Sequence, residues 1–82
     1  MLLLDVNNKP QNTVFYLSAI IHSILSTEKK LDYSELYEKL SHLEGNKVNI
    51  EFYSLALDFL FLLDKLKIDN KGDLYVFKEL KN

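Results

Sequence analysis

The chain has no cysteine, tryptophan or arginine, and its 82 residues include only two glycines and one proline. Without cysteine, it can form neither a disulfide nor a thiolate metal site. It has no glycine-rich phosphate loop and no G-x-S-x-G nucleophile motif, and both glycines, Gly45 and Gly72, lie at predicted turns. The two histidines, His22 and His42, lie on different predicted helices. We therefore expect no catalytic, cofactor or metal site, and no enzyme.

The absence of arginine also bears on nucleic-acid binding. Ten lysines stand against twelve acidic residues, which gives a net charge of −2. Arginine supplies the bidentate contacts to phosphate and guanine, and a domain bound mainly to DNA is usually basic. The composition therefore disfavours DNA as the main partner.

Long apolar runs are absent as well. None reaches the roughly 18 residues that a membrane span needs, and Met1–Leu4 is too short for a signal peptide and has no basic flank. The hydrophobic content of 48% and the charged content of 27% are typical of a globular chain. We expect one domain over residues 1–82, located in the cytoplasm without a membrane partner. A chain this short buries only about 60–65% of its unfolded surface, so a partner would add stability.

The first half of the chain contains signals for a strand and two helices. Leu2–Val6 could be a short strand, and Asn7–Pro10 would break the chain. A first helix is predicted from about Thr13 to Ser26, with Asn12 or Thr13 as its N-cap. A second helix follows. Its signals are a capping box of Asp32 with Glu35, a hydrophobic staple of Leu31 with Leu36, and a stop at Gly45.

The second half predicts a third helix and a β-hairpin. The helix would start at Asn49, with Val48 and Tyr53 as its staple, and continue to about Leu66. Lys67–Asp69 and Asp73–Phe77, joined by a turn containing Gly72, are typical of a hairpin. With Lys29–Leu31 as a third strand, the sequence predicts an α+β winged helix: three helices and a C-terminal wing.

Residues 52–66 (FYSLALDFLFLLDKL) are apolar almost all the way round a helix. At 100° per residue the apolar arc covers about 260°, against roughly 100° for a typical surface helix. The helical wheel predicts the core face as Phe52, Leu55, Phe59 and Leu63. Only Ser54, Asp58 and Lys65 cluster in the polar gap. This is a poor surface for a DNA groove and a good one for docking protein.

Several aromatic residues are candidates for partner binding. Tyr53, Leu57 and Phe61 lie on the flank of the third helix and are either core or an exposed patch. Tyr33 and Tyr37 are one turn apart on the second helix, and paired exposed tyrosines favour interfaces; packing on the wing is the alternative. Phe15, on the polar side of the first helix, has the same two alternatives, an interface or packing within the domain. Three lysines around the wing are either solvated or contact phosphate weakly: Lys67, Lys71 and Lys78.

The third-helix segment SLALDFLFLL (residues 54–63), the pair Lys67-Ile68 and the turn Lys71–Leu74 resemble the small middle components of bacterial ABC-three-component systems, most closely type 6. The segments Met1–Leu3, Phe15–Ala19 and Glu35–Tyr37, together with Pro10, fit the same family. Members often have glycine where this chain has Ser18 and Asp64. An "LLPxK"-like segment is replaced by Leu3–Val6.

The resemblance implies a non-catalytic subunit. Such systems pair an SMC-like ABC ATPase with an effector, often a nuclease, and Lamassu-type anti-phage defence belongs among them. The middle component would bridge the two, would contact DNA only weakly or within the complex, and could form a homodimer. A winged-helix DNA-binding regulator is the alternative function, and a small antitoxin-like partner is a third.

Overall fold

The computed structural model describes residues 10–28 and 30–76. Within them lie three helices and three strands, in this order: α1 (Pro10–Thr27), β1 (Leu31–Asp32), α2 (Tyr33–Glu44), α3 (Ile50–Leu62), β2 (Leu66–Ile68) and β3 (Asp73–Val76). The strands form an antiparallel sheet in the order β1-β3-β2. The predicted α+β class is confirmed, and the arrangement is compatible with a winged helix. The strand predicted at Leu2–Val6 lies outside the described residues.

α1 begins at Pro10, before the predicted start at Thr13. Proline is favoured in the first turn of a helix, because the N–H that it lacks would have no partner there. Pro10 therefore starts the helix instead of breaking the chain. The N-cap predicted at Asn12 or Thr13 is wrong, since both residues lie inside α1.

α2 begins and ends as predicted. The Asp32 carboxylate accepts the N–H of Glu35 at 2.8 Å, and the Glu35 carboxylate accepts the N–H of Asp32 at 3.0 Å. These reciprocal bonds form the predicted capping box and satisfy two donors at the helix start. At the other end Gly45 adopts φ 85°, a left-handed conformation that glycine allows at little cost.

α3 starts at the predicted cap and stops earlier than predicted. The Asn49 side chain accepts the N–H groups of Glu51 and Phe52 at 2.8 and 3.1 Å. The helix ends at Leu62, and Asp64 adopts a left-handed φ of 62°. Aspartate tolerates this conformation better than most residues, and it stands where the resemblance expects glycine. The reversal makes Leu66 the first residue of β2, where its side chain is buried.

The hairpin is organised by Asp69 at its turn. One carboxylate oxygen accepts the N–H groups of Lys71 and Asp73, each at 2.9 Å. The other accepts the ammonium of Lys30 at 2.8 Å, which ties the turn to the residue just before β1. The predicted third strand is confirmed as β1, at Leu31–Asp32. Of the predicted span Lys29–Leu31, Lys30 precedes the strand, and Lys29 lies outside the described residues. Leu31 pairs with Leu74 of β3.

One hydrophobic core joins all three helices and the sheet. Its α3 side is formed by Tyr53, Ala56, Leu57 and Leu60. α1 and α3 approach closely where Ser18, buried opposite Ala56, places its hydroxyl 3.4 Å from the Ala56 carbonyl oxygen. The other buried core residues are Leu17, Ile21, Ile24, Leu25, Leu36, Leu40, Val48, Leu66 and Leu74.

Tyr53 is the largest fully buried side chain, and it joins α3 to α2. Its hydroxyl donates to the backbone carbonyl oxygen of Tyr33 at 2.6 Å. Its ring centre lies 4.9 Å from that of Tyr33 and 5.1 Å from that of Tyr37, both in tilted contacts. Burial, and then the nearby Tyr33, Asp32 and Tyr37, raises the pKa of the Tyr53 hydroxyl above its usual value. The hydroxyl therefore stays protonated as a donor.

The core face of α3 differs from the one that the helical wheel predicts. Leu55 and Leu63, expected in the core, are each 50% exposed, and Phe52 and Phe59 are half-buried. That prediction is wrong for the two leucines. The reason is physical: an apolar arc of about 260° has no polar side broad enough to fix the rotation of the helix. Contacts with α1 and α2 fix it instead.

Tyr53→Phe tests the tyrosine contact. The change keeps the ring and removes only the hydroxyl, which leaves the Tyr33 carbonyl oxygen without that donor. We expect a loss of about 1–2 kcal/mol in the free energy of unfolding, measured by urea denaturation with circular dichroism. Tyr75→Phe, in half-buried surroundings on β3, is the control and should stay within about 0.5 kcal/mol of wild type. Equal stability of Tyr53→Phe and wild type would contradict this role.

Asp69 predicts a pH dependence of stability. Its hydrogen bond from the Lys30 side chain, followed by that from the Asp73 N–H, lowers the pKa of the Asp69 carboxyl to about 2. A lowered folded-state pKa stabilises the fold above the unfolded pKa of about 3.9, and this stabilisation is lost as the pH falls towards 2. Asp69→Asn keeps an oxygen acceptor for the turn but removes the charge.

We therefore expect Asp69→Asn to melt at a lower temperature than wild type at pH 5–7, with the gap closing as the pH approaches 2. Thermal melts across this range measure the gap. A gap of constant size at every pH would show that the charge of Asp69 does not stabilise the fold.

Candidate protein-docking surface

The polar side chains of the described residues are not arranged as a metal site. Within residues 10–28 and 30–76, no three histidine, aspartate or glutamate side chains are grouped to hold a metal ion. In the same part of the chain, every buried side-chain nitrogen and oxygen has a hydrogen-bond partner. None of the described helices is both long and apolar enough to cross a bilayer. The distinctive feature of the surface is a group of exposed apolar side chains.

The apolar surface is concentrated on α3 and its C-terminal end. Leu62 is 83% exposed, Leu55 and Leu63 are half-exposed, and Phe61 is 40% exposed. A small domain has too few elements to cover every side of such a helix. Contiguous exposed apolar residues usually mark an interaction site.

One side of α3 forms an open groove with α1, which we call the α1–α3 groove. The rings of Phe15 and Phe59 are in tilted contact in this groove, with their centres 5.1 Å apart. Its volume is about 400 Å³. The lining residues are Phe15, Ser18, Ala19, His22, Phe59, Leu60, Leu63 and Lys65.

The opposite flank of α3 borders a second groove, beside the hairpin, which we call the α3–hairpin groove. Phe61 and Ile68 provide exposed apolar surface, and Asp58 provides a carboxylate. The Tyr33 hydroxyl lies 3.1 Å from the Ser54 hydroxyl at one side. This groove has a volume of about 200 Å³.

The outermost face of α3, between the two grooves, carries a regular pattern. Glu51, Leu55, Asp58 and Leu62 are spaced i, i+4, i+7 and i+11, and all four side chains are exposed. This spacing places them in one line along a helix. We call this line the outer stripe. It alternates acid and leucine.

The predicted partner-binding residues differ in burial. Tyr53 and Leu57 are buried, so of the two alternatives the core applies to them; the rotation of α3 turns them inward. Phe15, Tyr33 and Phe61 are exposed. Tyr37 is half-buried, and its hydroxyl donates to the Val48 carbonyl oxygen. The rings of Tyr33 and Tyr37 both pack on that of Tyr53.

The lysines of the hairpin lie among acidic partners. The Lys67 ammonium contacts the Asp64 carboxylate at 2.6 Å, as the Lys30 ammonium contacts Asp69. Lys71 is exposed at the turn, and Lys78 lies outside the described residues. Phosphate contact by these lysines stays a prediction. Paired charges of both signs make this a mixed surface.

Sequence reasoning missed the exposed leucines. The helical wheel places Leu55 and Leu63 in the core, and Leu62 lies in the same apolar arc. The exposure of Leu55 and Leu62 could have been predicted from their heptad-like spacing with Glu51 and Asp58. An acid at every second position of a helical stripe disfavours burial of that stripe.

The family is settled by a comparison of the whole chain with protein-family models. The model that matches is described as the ABC-three component (ABC-3C) system Middle Component 6, and it covers residues 3–77. The chain belongs to this family. No curated protein and no solved structure matches the chain significantly.

Membership of this family bears on the role of the apolar surface. The match spans all the described helices and strands, and it confirms the resemblance inferred from the sequence. A middle component belongs to a system of several components, which implies an accessory role in a complex with the others. An apolar surface on this middle component is therefore a candidate contact with another component.

Leu55→Ala and Leu57→Ala test the rotation of α3. Both remove the same atoms from the same helix, and leucine and alanine have similar helix propensities. Leu57 is buried and Leu55 is half-exposed. We expect Leu57→Ala to cost about 2–5 kcal/mol of unfolding free energy and Leu55→Ala less than about 1 kcal/mol.

Urea denaturation measures both variants. The helical wheel places Leu55 on the core face, so a larger loss for Leu55→Ala than for Leu57→Ala would show that the helix is rotated as the wheel predicts.

Proposed function

We propose that this middle component is a non-catalytic, winged-helix adaptor that bridges an SMC-like ABC ATPase and an effector such as a nuclease, in cytoplasmic anti-phage defence. Family membership supports an accessory role in a multi-component system. The observation that carries the proposal further is the exposed apolar surface on both flanks of α3. A bridging subunit needs two separate contact surfaces, and the α1–α3 groove and the α3–hairpin groove lie on opposite sides of this helix.

Burial of this surface would supply binding energy. Interfaces depend on a few well-packed anchors, with aromatic residues enriched among them. Phe15 and Phe59 would serve as anchors on one side, and Phe61 and Tyr33 on the other. Because Phe15, Phe59 and Tyr33 already make ring contacts in the fold, little rotamer entropy would be lost when a partner packs on these three side chains.

The charge of the same surface argues against the DNA-binding regulator. A helix that reads the major groove presents arginine, lysine, asparagine or glutamine. The outer stripe presents Glu51 and Asp58 instead, and these carboxylates would repel phosphate. Any DNA contact by Lys67, Lys71 or Lys78 would then be weak and made within the complex.

Reconstitution with the two neighbouring components tests the bridge. We would co-express this chain with the ATPase and the effector encoded beside it and purify through a tag on the ATPase. We expect all three to co-purify, and the effector to be lost when this chain is omitted. ATP hydrolysis should require the ATPase and be absent from this chain alone. Association of ATPase and effector without this chain, or failure of this chain to bind either one, would refute the bridging role.

Leu62→Ser identifies the surface used. Leu62 is the most exposed large apolar residue of α3, so the change should leave the fold intact and weaken binding to at least one component tenfold or more. Leu43→Ser is the matched control, because Leu43 is an exposed leucine on α2. Binding should be measured by titration with each purified component. Equal loss in both variants would argue against a specific role of α3.

A further inference from the structure

The outer stripe has a chemical pattern that specifies its partner more narrowly than apolar surface alone. Glu51, Leu55, Asp58 and Leu62 extend over about 16 Å, the rise of eleven helical residues. Neither carboxylate has an ion-pair partner within residues 10–28 and 30–76. Two leucines are thus offered to a partner together with two unneutralised negative charges.

The spacing favours a helix as the partner. Positions i, i+4, i+7 and i+11 form the straight seam that two helices share when they pack at a shallow angle. A strand or an irregular segment would not repeat its side chains at this period. A partner helix with the same spacing would meet each position of the outer stripe in turn.

The charges favour a basic helix. A carboxylate that is covered by an apolar partner loses its water without compensation, whereas one that meets a lysine or arginine gains an ion pair. At Asp58 the α3–hairpin groove adds the rings of Phe61 and Tyr33. Aromatic rings attract cations and accept the aliphatic stem of a long basic side chain.

A second copy of this chain fits the outer stripe poorly. A parallel pair of α3 helices would place acid against acid. An antiparallel pair would place Glu51 against Leu62 and Asp58 against Leu55, which buries carboxylates against leucines. Both arrangements remove charge from water without supplying a cation.

We propose that the outer stripe docks an amphipathic helix of another component, with lysine or arginine facing Glu51 and Asp58 and apolar residues packing on Leu55 and Leu62. This rests on the proposed role as a subunit of the complex. The inference goes further than that role, because it specifies the partner element as a basic amphipathic helix.

Charge reversal tests the proposed ion pairs between the outer stripe and the basic helix. Asp58→Lys is compared with Glu38→Lys, since Glu38 is an exposed acid on α2 and the two variants have the same net charge. We expect Asp58→Lys to weaken binding to one component at least tenfold at about 0.1 M salt, and Glu38→Lys to change it less than threefold. Unchanged binding of Asp58→Lys, or equal loss in both variants, would overturn the proposal.

Crosslinking tests the identity of the element. Benzoylphenylalanine is placed at position 62 in one preparation and at position 43 in another, and the reconstituted complex is irradiated. From position 62 we expect crosslinks to a partner segment with lysine or arginine at helical spacing between apolar residues. Crosslinks to an acidic segment, or to a second copy of this chain, would overturn the proposal.

The two proposals fail differently. If no complex forms with either component, the bridging role is refuted and the docked helix with it. If the complex forms but Asp58→Lys binds normally and position 62 does not crosslink to a basic helix, only the recognition of that helix is refuted.

Discussion

The fold depends on how Tyr53 is buried. Asn49 caps the start of α3, and Tyr53, one turn later, inserts between Tyr33 and Tyr37 and donates its hydroxyl to the Tyr33 backbone. The cap fixes where the helix begins, and the tyrosine fixes its rotation. A hydrogen bond has a direction that a hydrophobic contact lacks, so it can select one rotation of a helix that is apolar nearly all the way round.

The rotation of α3 creates the candidate docking surface. With Tyr53, Ala56, Leu57 and Leu60 turned inward, four other apolar residues of the helix are exposed: Ile50, Leu55, Phe61 and Leu62. The two neighbouring helices and the three-stranded sheet leave these residues uncovered. Exposed apolar surface is unfavourable in water for a free monomer, but a subunit can bury it against a partner. This agrees with membership of a family defined by a multi-component system. The acids between the leucines keep the helix compatible with water until a partner covers it.

The charges beside the apolar surface follow the same logic. Three of the described lysines, Lys30, Lys39 and Lys67, form ion pairs with Asp69, Glu28 and Asp64, so part of the positive charge of this arginine-free chain is locally compensated. A middle component with this surface is suited to contact protein, and its acidic outer stripe complements a basic partner.

The sequence by itself determined the elements that depend on local chemistry. The capping box of Asp32 and Glu35, the cap at Asn49 and the turns at Gly45 and Gly72 each act through backbone groups a few residues away, so a short window of sequence contains the whole interaction. The family was also recognisable, since its motif is local. Tertiary structure alone decided which side of α3 is core. An all-round apolar helix leaves its rotation to distant residues on α1 and α2, and that choice separates buried Leu57 from the exposed leucines of the outer stripe.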